Sequence, residues 1–272
     1  MPSRILLLCF GIFSGLTGWH AWTTDGQSAV WLLPWVLGFA AIYVLSPQVD
    51  WWFYSRFPRK LDLIQRQMLE TGCSFYQRLA PNQRIRFEQR CFLFLLATDF
   101  EGKAKSETLP EDFKLLAILP AVILKFGEED FLFPGQEKII IYPLAFPSPQ
   151  YPTHWHHSEW YPLDGVLLFS AQALFQSFRN PSQHYPVAAH EWARVYMAEK
   201  KLGPWPGEDL SWWEMLHGIS GWNQEFIKQC VGRPDLELSA VVMVHLLYFP
   251  REGAEHFPEL QPFLRHSANA NG

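Results

Sequence analysis

Two long uncharged stretches open the chain, Ile5 to Trp22 and Ala29 to Leu45. Each approaches the ~20 residues that a membrane-crossing helix needs. A polar turn, Thr23-Thr24-Asp25-Gly26-Gln27-Ser28, separates them. Neither stretch has a polar face, so a buried soluble hairpin fits them poorly. Trp19, Trp22, Trp31 and Trp35 stand beside the turn, and Trp51-Trp52-Phe53-Tyr54 follows the second stretch, as in interfacial aromatic belts. Arg4 precedes the first stretch, while Arg56, Arg59 and Lys60 follow the second, which predicts both ends on the cytoplasmic side. A cleaved signal peptide over residues 1–22 is the competing reading, disfavoured by Trp19-His20-Ala21-Trp22 as a cleavage context. The pattern thus predicts a lipid-contacting anchor at residues 1–55 in the inner (cytoplasmic) membrane, with two transmembrane helices (about 5–22 and 29–45). Both termini and residues 56–272 are expected in the cytoplasm.

Helical spacing then takes over. Leu61, Ile64, Met68, Leu69, Phe75 and Tyr76 predict one helix over Leu61 to Leu79. Pro81 opens a second that runs to about Phe100, and Pro110 opens a third that Pro120 should kink. Strand character appears in Lys138-Ile139-Ile140-Ile141-Tyr142-Pro143 and in Val166 to Ser170. Between them, Phe146 to Pro162 reads as a loop rich in Pro, His and aromatics, long enough to suggest a functional or substrate-edge role. Pro186 begins another helix, with Lys200 and Lys201 near its end and Gly203-Pro204 as its stop. Asp235 to Phe249 is apolar nearly all round and therefore buried, with Glu237 as its one internal acid. The fold class expected is α+β, mostly helical with a small sheet.

Composition narrows the function. Hydrophobic residues make up 49% and aromatics 16%, enough for a sizeable core and too apolar for disorder. A net charge of -5 without a basic stripe gives no reason to expect direct nucleic-acid binding. Cys9, Cys73, Cys91 and Cys230 lack CxxC spacing, so free thiols are the plain reading.

The candidate chemistry lies in His190-Glu191-Trp192-Ala193-Arg194. In His-Glu-x-x-His on a helix, residues four apart share a face, so two imidazoles reach one metal and the glutamate serves as general base. Arg194 stands where the second histidine belongs. Other segments give this fragment a context: Ile139 to Phe146, Gly165 to Ser170, Val187 to Ala193, and Pro234-Asp235-Leu236-Glu237-Leu238-Ser239-Ala240-Val241. Through these pieces, from about residue 73 to the end, the chain resembles the Mlc titration factor A family, zinc-dependent peptidases with a zincin-like core.

The resemblance implies zinc as cofactor, His190 and Glu237 as metal ligands, and Glu191 as general base. The departures are Arg194 at the second ligand position, Cys230 for a tyrosine, Met197 for an aspartate and Val244 for an acid. A guanidinium keeps its proton and cannot ligate a cation, but it can hydrogen-bond two carboxylates at once. Arg194 is accordingly read as a cation substitute between Glu191 and Glu237, at a site that lacks zinc or holds it weakly. The expected function is a membrane-anchored, catalytically degenerate family member that binds a peptide or protein partner, by strand addition along Val166, Leu167, Leu168, Phe169 and Ser170. Two alternatives stay open. One is an active zinc peptidase with an altered ligand set, in which His154-Trp155-His156-His157 supplies the missing imidazole. The other is a structural membrane-associated domain.

Overall fold

The computed structural model describes residues 1–24, 29–104, 108–202, 210–234 and 236–257. The expected turn at 25–28, the helix stop at Gly203-Pro204 and Asp235 lie outside the described residues. The chain divides into two units, Met1–Arg59 and Lys60–Gly272.

In the first unit, helix α1 (Pro2–Thr23) is long and apolar enough to cross a membrane. The second expected span is corrected. A 3-10 turn, Ala29–Trp31, leads into α2 (Leu32–Val44), and α3 (Ser46–Arg56) departs from it at 68°. Pro47 sits in the first turn of α3, where it has no N–H for the preceding helix and disfavours helical geometry at Ser46. One helix, not two, therefore meets the length requirement unless the bent pair is counted as a single span. Asp50 of α3 accepts from the Ser3 N–H at 2.9 Å and the Ser3 hydroxyl at 2.7 Å, placing a carboxylate on the positive end of α1.

The second unit contains α4 (Leu63–Gly72), α5 (Ser74–Arg78), α6 (Pro81–Ala97), β1 (Asp99–Gly102), α7 (Glu111–Leu124), β2 (Lys138–Tyr142), β3 (Ser158–Tyr161) and β4 (Val166–Ser170). After them come α8 (Ala171–Arg179), α9 (Val187–Glu199), α10 (Leu210–Ser220), α11 (Gln224–Val231), α12 (Leu238–Tyr248) and α13 (Pro250–His256). The helix expected over Leu61 to Leu79 is broken at Cys73, which is extended. The Phe178 ring presses on Gly72, its Cζ only 2.2 Å from where a Cβ would sit, so tertiary packing sets that break. The second helix ends at Ala97, and the residues expected to continue it form β1 instead.

The sheet order is β1-β2-β4-β3. β1, β2 and β4 run parallel, and β3 pairs antiparallel with β4. This corrects the reading of Val166, Leu167, Leu168, Phe169 and Ser170 as a substrate-edge strand. Both sides of β4 are already hydrogen-bonded, so no partner strand can add there. The segment expected to be an unstructured loop supplies β3, and among the described residues the outermost strands are β1 and β3, the latter with Ser158 and Glu159 closed to solvent.

Helix α9 packs against α7, α8, α12, β3 and β4. Every residue from Val187 to Ala193 is buried, so the helix runs through the core rather than along its surface. Trp192 anchors it: the indole N–H donates to the Ala117 carbonyl at 2.8 Å, and the ring meets Phe94 and Phe133.

Helix α11 stops at Gly232, whose φ of 82° is left-handed. A Cβ there would lie 2.5 Å from His156 Cα and 2.6 Å from the Trp155 carbonyl, both backbone atoms. Gly135 has a similar φ of 78° but open space around it. Gly232→Ala should therefore cost about 3 kcal/mol of stability, against about 1 kcal/mol for Gly135→Ala. Denaturation of the detergent-solubilised chain measures the difference, and equal losses would remove the steric account.

Candidate functional site

His190 and Glu191 lie side by side in the first half of α9, and neither has any solvent exposure. Desolvation forces each polar atom there to find a partner. Tyr185, just ahead of the helix, places its hydroxyl 3.0 Å from His190 Nδ1. Metal-bound imidazoles usually give their second nitrogen to a carboxylate or carbonyl, whereas here a phenol meets it.

Glu191 is held on both oxygens. Oε1 accepts from the Ser158 hydroxyl at 2.8 Å and from Arg233 NH2 at 2.9 Å, and Oε2 accepts from Arg194 NH1 at 2.9 Å. The Arg194 fork reaches further, its Nε donating to Glu237 Oε1 at 2.7 Å. Glu237 occupies the N-cap position of α12, so this contact links α9 to the start of α12. The Arg194 guanidinium also lies 5.6 Å from the Trp160 ring centre. Arg194 is mostly covered at 14% side-chain exposure, and Glu237 is the outer member at 48%.

Burial alone would raise the Glu191 carboxyl. Arg233, then Arg194, overcome it and bring the group down from 4.5 to about 2. The two glutamates raise Arg194 above its ordinary value against the opposing effect of burial. Two carboxylates thus face two guanidiniums, and their formal charges sum to zero. A zinc ion does not fit this donor set. Among the described residues, His190 and Glu237 are the family-pattern ligands present, the third position is a guanidinium, and a divalent cation would leave two uncompensated positive charges. Among the described residues, no three of His, Cys, Asp and Glu come together to hold a metal.

The histidine loop separates into distinct environments. His154 and Trp155 are exposed. His156 is fully buried, with Nε2 2.9 Å from Glu159 Oε2 and Nδ1 3.0 Å from the His154 carbonyl, so both ring nitrogens are engaged. His157 donates its backbone N–H to the Val231 carbonyl, while its ring faces the region of Tyr185 and Cys230. Of the other departures from the family pattern, Met197 and Val244 are buried in the core. Sequence reasoning missed Arg233, Ser158 and Tyr185. Arg233 was detectable as a cation four residues before Glu237; Ser158 was not, because its strand carries too little alternation to show.

Behind Tyr185, Trp222 meets the His245 ring at 5.4 Å. His245 Nδ1 pairs with the Val241 carbonyl at 2.8 Å and Nε2 with the Ser220 hydroxyl at 2.8 Å. Burial pushes this imidazole down from 6.5 to about 4. Both His245 and Glu191 are thus depressed in the fold, so each contributes stability above its unfolded value that is lost on acidification. His245 acts between pH 6.5 and about 4, and Glu191 between 4.5 and about 2. Each stage should be worth on the order of 3 kcal/mol. Denaturation at stepped pH should show stability falling already below pH 6.5, and His245→Gln should reduce that upper stage, to which His157 also contributes, while leaving the lower one. A profile flat down to pH 4 would contradict the assignment.

No curated protein matches the chain. A family model described as glucose-regulated metallo-peptidase M90 matches residues 54–196, from the end of α3 through the His190-Glu191 helix and short of Glu237. The match spans more than half of the sequence and takes in the sheet, His190, Glu191 and Arg194; on that ground the chain belongs to the glucose-regulated metallo-peptidase M90 family.

Proposed function

We propose that this chain is a non-hydrolytic member of its metallopeptidase family, in which fixed guanidinium groups have taken the place of the metal and the fold serves to bind a peptide or protein partner. The observation that carries this reading is the Arg194 fork between Glu191 and Glu237, with Arg233 on the remaining Glu191 oxygen. A buried carboxylate needs a cation nearby, and these arginines supply it without a Lewis acid. They cannot lower the pKa of a water molecule as zinc does. A carboxylate held at about 2 is also a poor proton acceptor near neutrality. The apolar α1 attaches the protein to a membrane in this reading, with no side assigned.

Metal content tests the proposal. The full chain, purified in detergent without chelator, should carry well under ~0.1 zinc per chain by elemental analysis, because no complete ligand set is present. Stoichiometric zinc that disappears in His190→Ala would overturn it. Arg194→Ala should cost about 3–5 kcal/mol of stability by stranding Glu191, and Arg194→Lys should recover part of that loss. Membrane attachment is read separately: the full chain should stay in the pellet after alkaline extraction, and a chain lacking residues 1–59 should not.

One observation favours a second reading. His190 and Glu191 are fully closed to solvent, as expected of a purely structural domain. Saturable binding of a defined peptide by the full chain would exclude that reading, and its absence across a diverse peptide set would favour it.

A further inference from the structure

A cavity of about 250 Å³ adjoins Tyr185 and Val187 at the start of α9. Its polar groups come from separate elements: His157 before β3, Gln176 on α8, Gln183 and His184 ahead of α9, and Gln229 and Cys230 on α11. The volume lies below the roughly 300–1,000 Å³ of sites for drug-sized ligands, which suits a single side chain. Among the described residues, no Asp, Glu, Lys or Arg lines it. A charged occupant would therefore lose part of its hydration and meet no counter-charge there.

The lining has many hydrogen-bonding groups and little net polarity of one kind. Three carboxamides each offer donors and an acceptor, and the imidazoles add more of both. His157 Nδ1 is buried and has no hydrogen-bond partner among the described residues. The His157 backbone is already committed, its N–H to the Val231 carbonyl and its carbonyl to the Ser170 N–H, so the ring is what remains for an occupant. Burial, then the neighbouring His156, lowers this imidazole below its ordinary range and keeps it neutral. A neutral imidazole matches an amide, giving one donor and one acceptor.

We infer that this cavity receives the uncharged carboxamide side chain, glutamine or asparagine, of a bound peptide. That the amide belongs to a peptide rests on the binding reading above; the preference for an amide over a carboxylate does not.

Cys230 provides a reporter inside the cavity. The full chain in detergent is treated with N-ethylmaleimide, and alkylation of each cysteine is followed by peptide mass spectrometry. N-acetyl-glutamine amide at about 50 mM should slow Cys230 at least about threefold, as expected for a weak single-side-chain ligand. Exposed Cys9 should be unaffected. N-acetyl-glutamate amide, nearly the same shape but charged at neutral pH, should give little protection. Gln229→Leu and His157→Phe should each abolish the protection, with Cys73 and Cys91 staying unreactive because both are buried in the folded chain. Absence of protection, equal protection by both compounds, or protection that survives Gln229→Leu would overturn the inference. Zinc content of the same sample reads the non-hydrolytic proposal independently, so the two can fail separately.

Discussion

The carboxylate of Glu191 has no contact with solvent, and the arrangement around it follows from that fact. An isolated buried carboxylate would protonate or open the fold. This one is held ionised by two guanidiniums and a hydroxyl that come from widely separated parts of the chain. Ser158 lies on the antiparallel strand, Arg194 one turn further along the same helix, and Arg233 just past the left-handed end of α11. Arg194 then carries the connection to Glu237 at the head of α12. The network therefore ties β3, α9, α11 and α12 to a single acid. Breaking it costs more than forming it gains, since removing one arginine leaves a charge that no water can reach.

The substitutions around this acid are physically coherent with one another. On the proposed non-hydrolytic reading, groups that would orient or neutralise a metal centre lose their purpose, and an unpartnered polar group in the core is a liability. Met197 and Val244 sit in fully packed, apolar surroundings where an acid would need a partner. Cys230 instead borders the amide-rich cavity, and burial pushes its thiol up, which slows its alkylation without preventing it. Apolar packing has been extended at two of the positions and a cavity wall formed at the third.

Much of this was legible in the sequence where a single physical pattern dominates a segment. The strands at Lys138–Tyr142 and Val166–Ser170 and the buried α12 segment declare themselves by continuous β-branched or apolar runs, and α9 by the Pro186 that begins it and the lysines near its end. What was not legible depends on contacts between distant segments. β3 is four residues, Ser158–Tyr161, without alternation, and it is a strand because β4 offers an unpaired side. Its discovery moved the edge of the sheet away from Val166–Ser170. The break at Cys73 is set by Phe178 pressing on Gly72, a contact between residues far apart in sequence. The second apolar run does form a helical segment, but α2 is only 13 residues and the chain bends by 68° just after it, where Pro47 falls beyond the hydrophobic window. Arg194 could be paired with Glu191 by helical spacing, but Arg233 could not, because a turn of unknown direction intervenes between it and α9.

On the proposed reading, restoring a histidine at position 194 would not by itself recreate a hydrolytic centre. Zinc requires both a ligand set and a glutamate with an oxygen available to take a proton from water. Arg233 occupies one Glu191 oxygen, with Ser158 on the same atom, independently of Arg194. A cation fixed there keeps the carboxyl a weak base whatever stands at 194. The arginine from beyond α11 and the arginine on α9 therefore act on two different requirements of the reaction, the base and the metal. That separation makes the charge-balanced arrangement a stable endpoint: each arginine stays favourable while the other is present, because the acid between them has an oxygen for each.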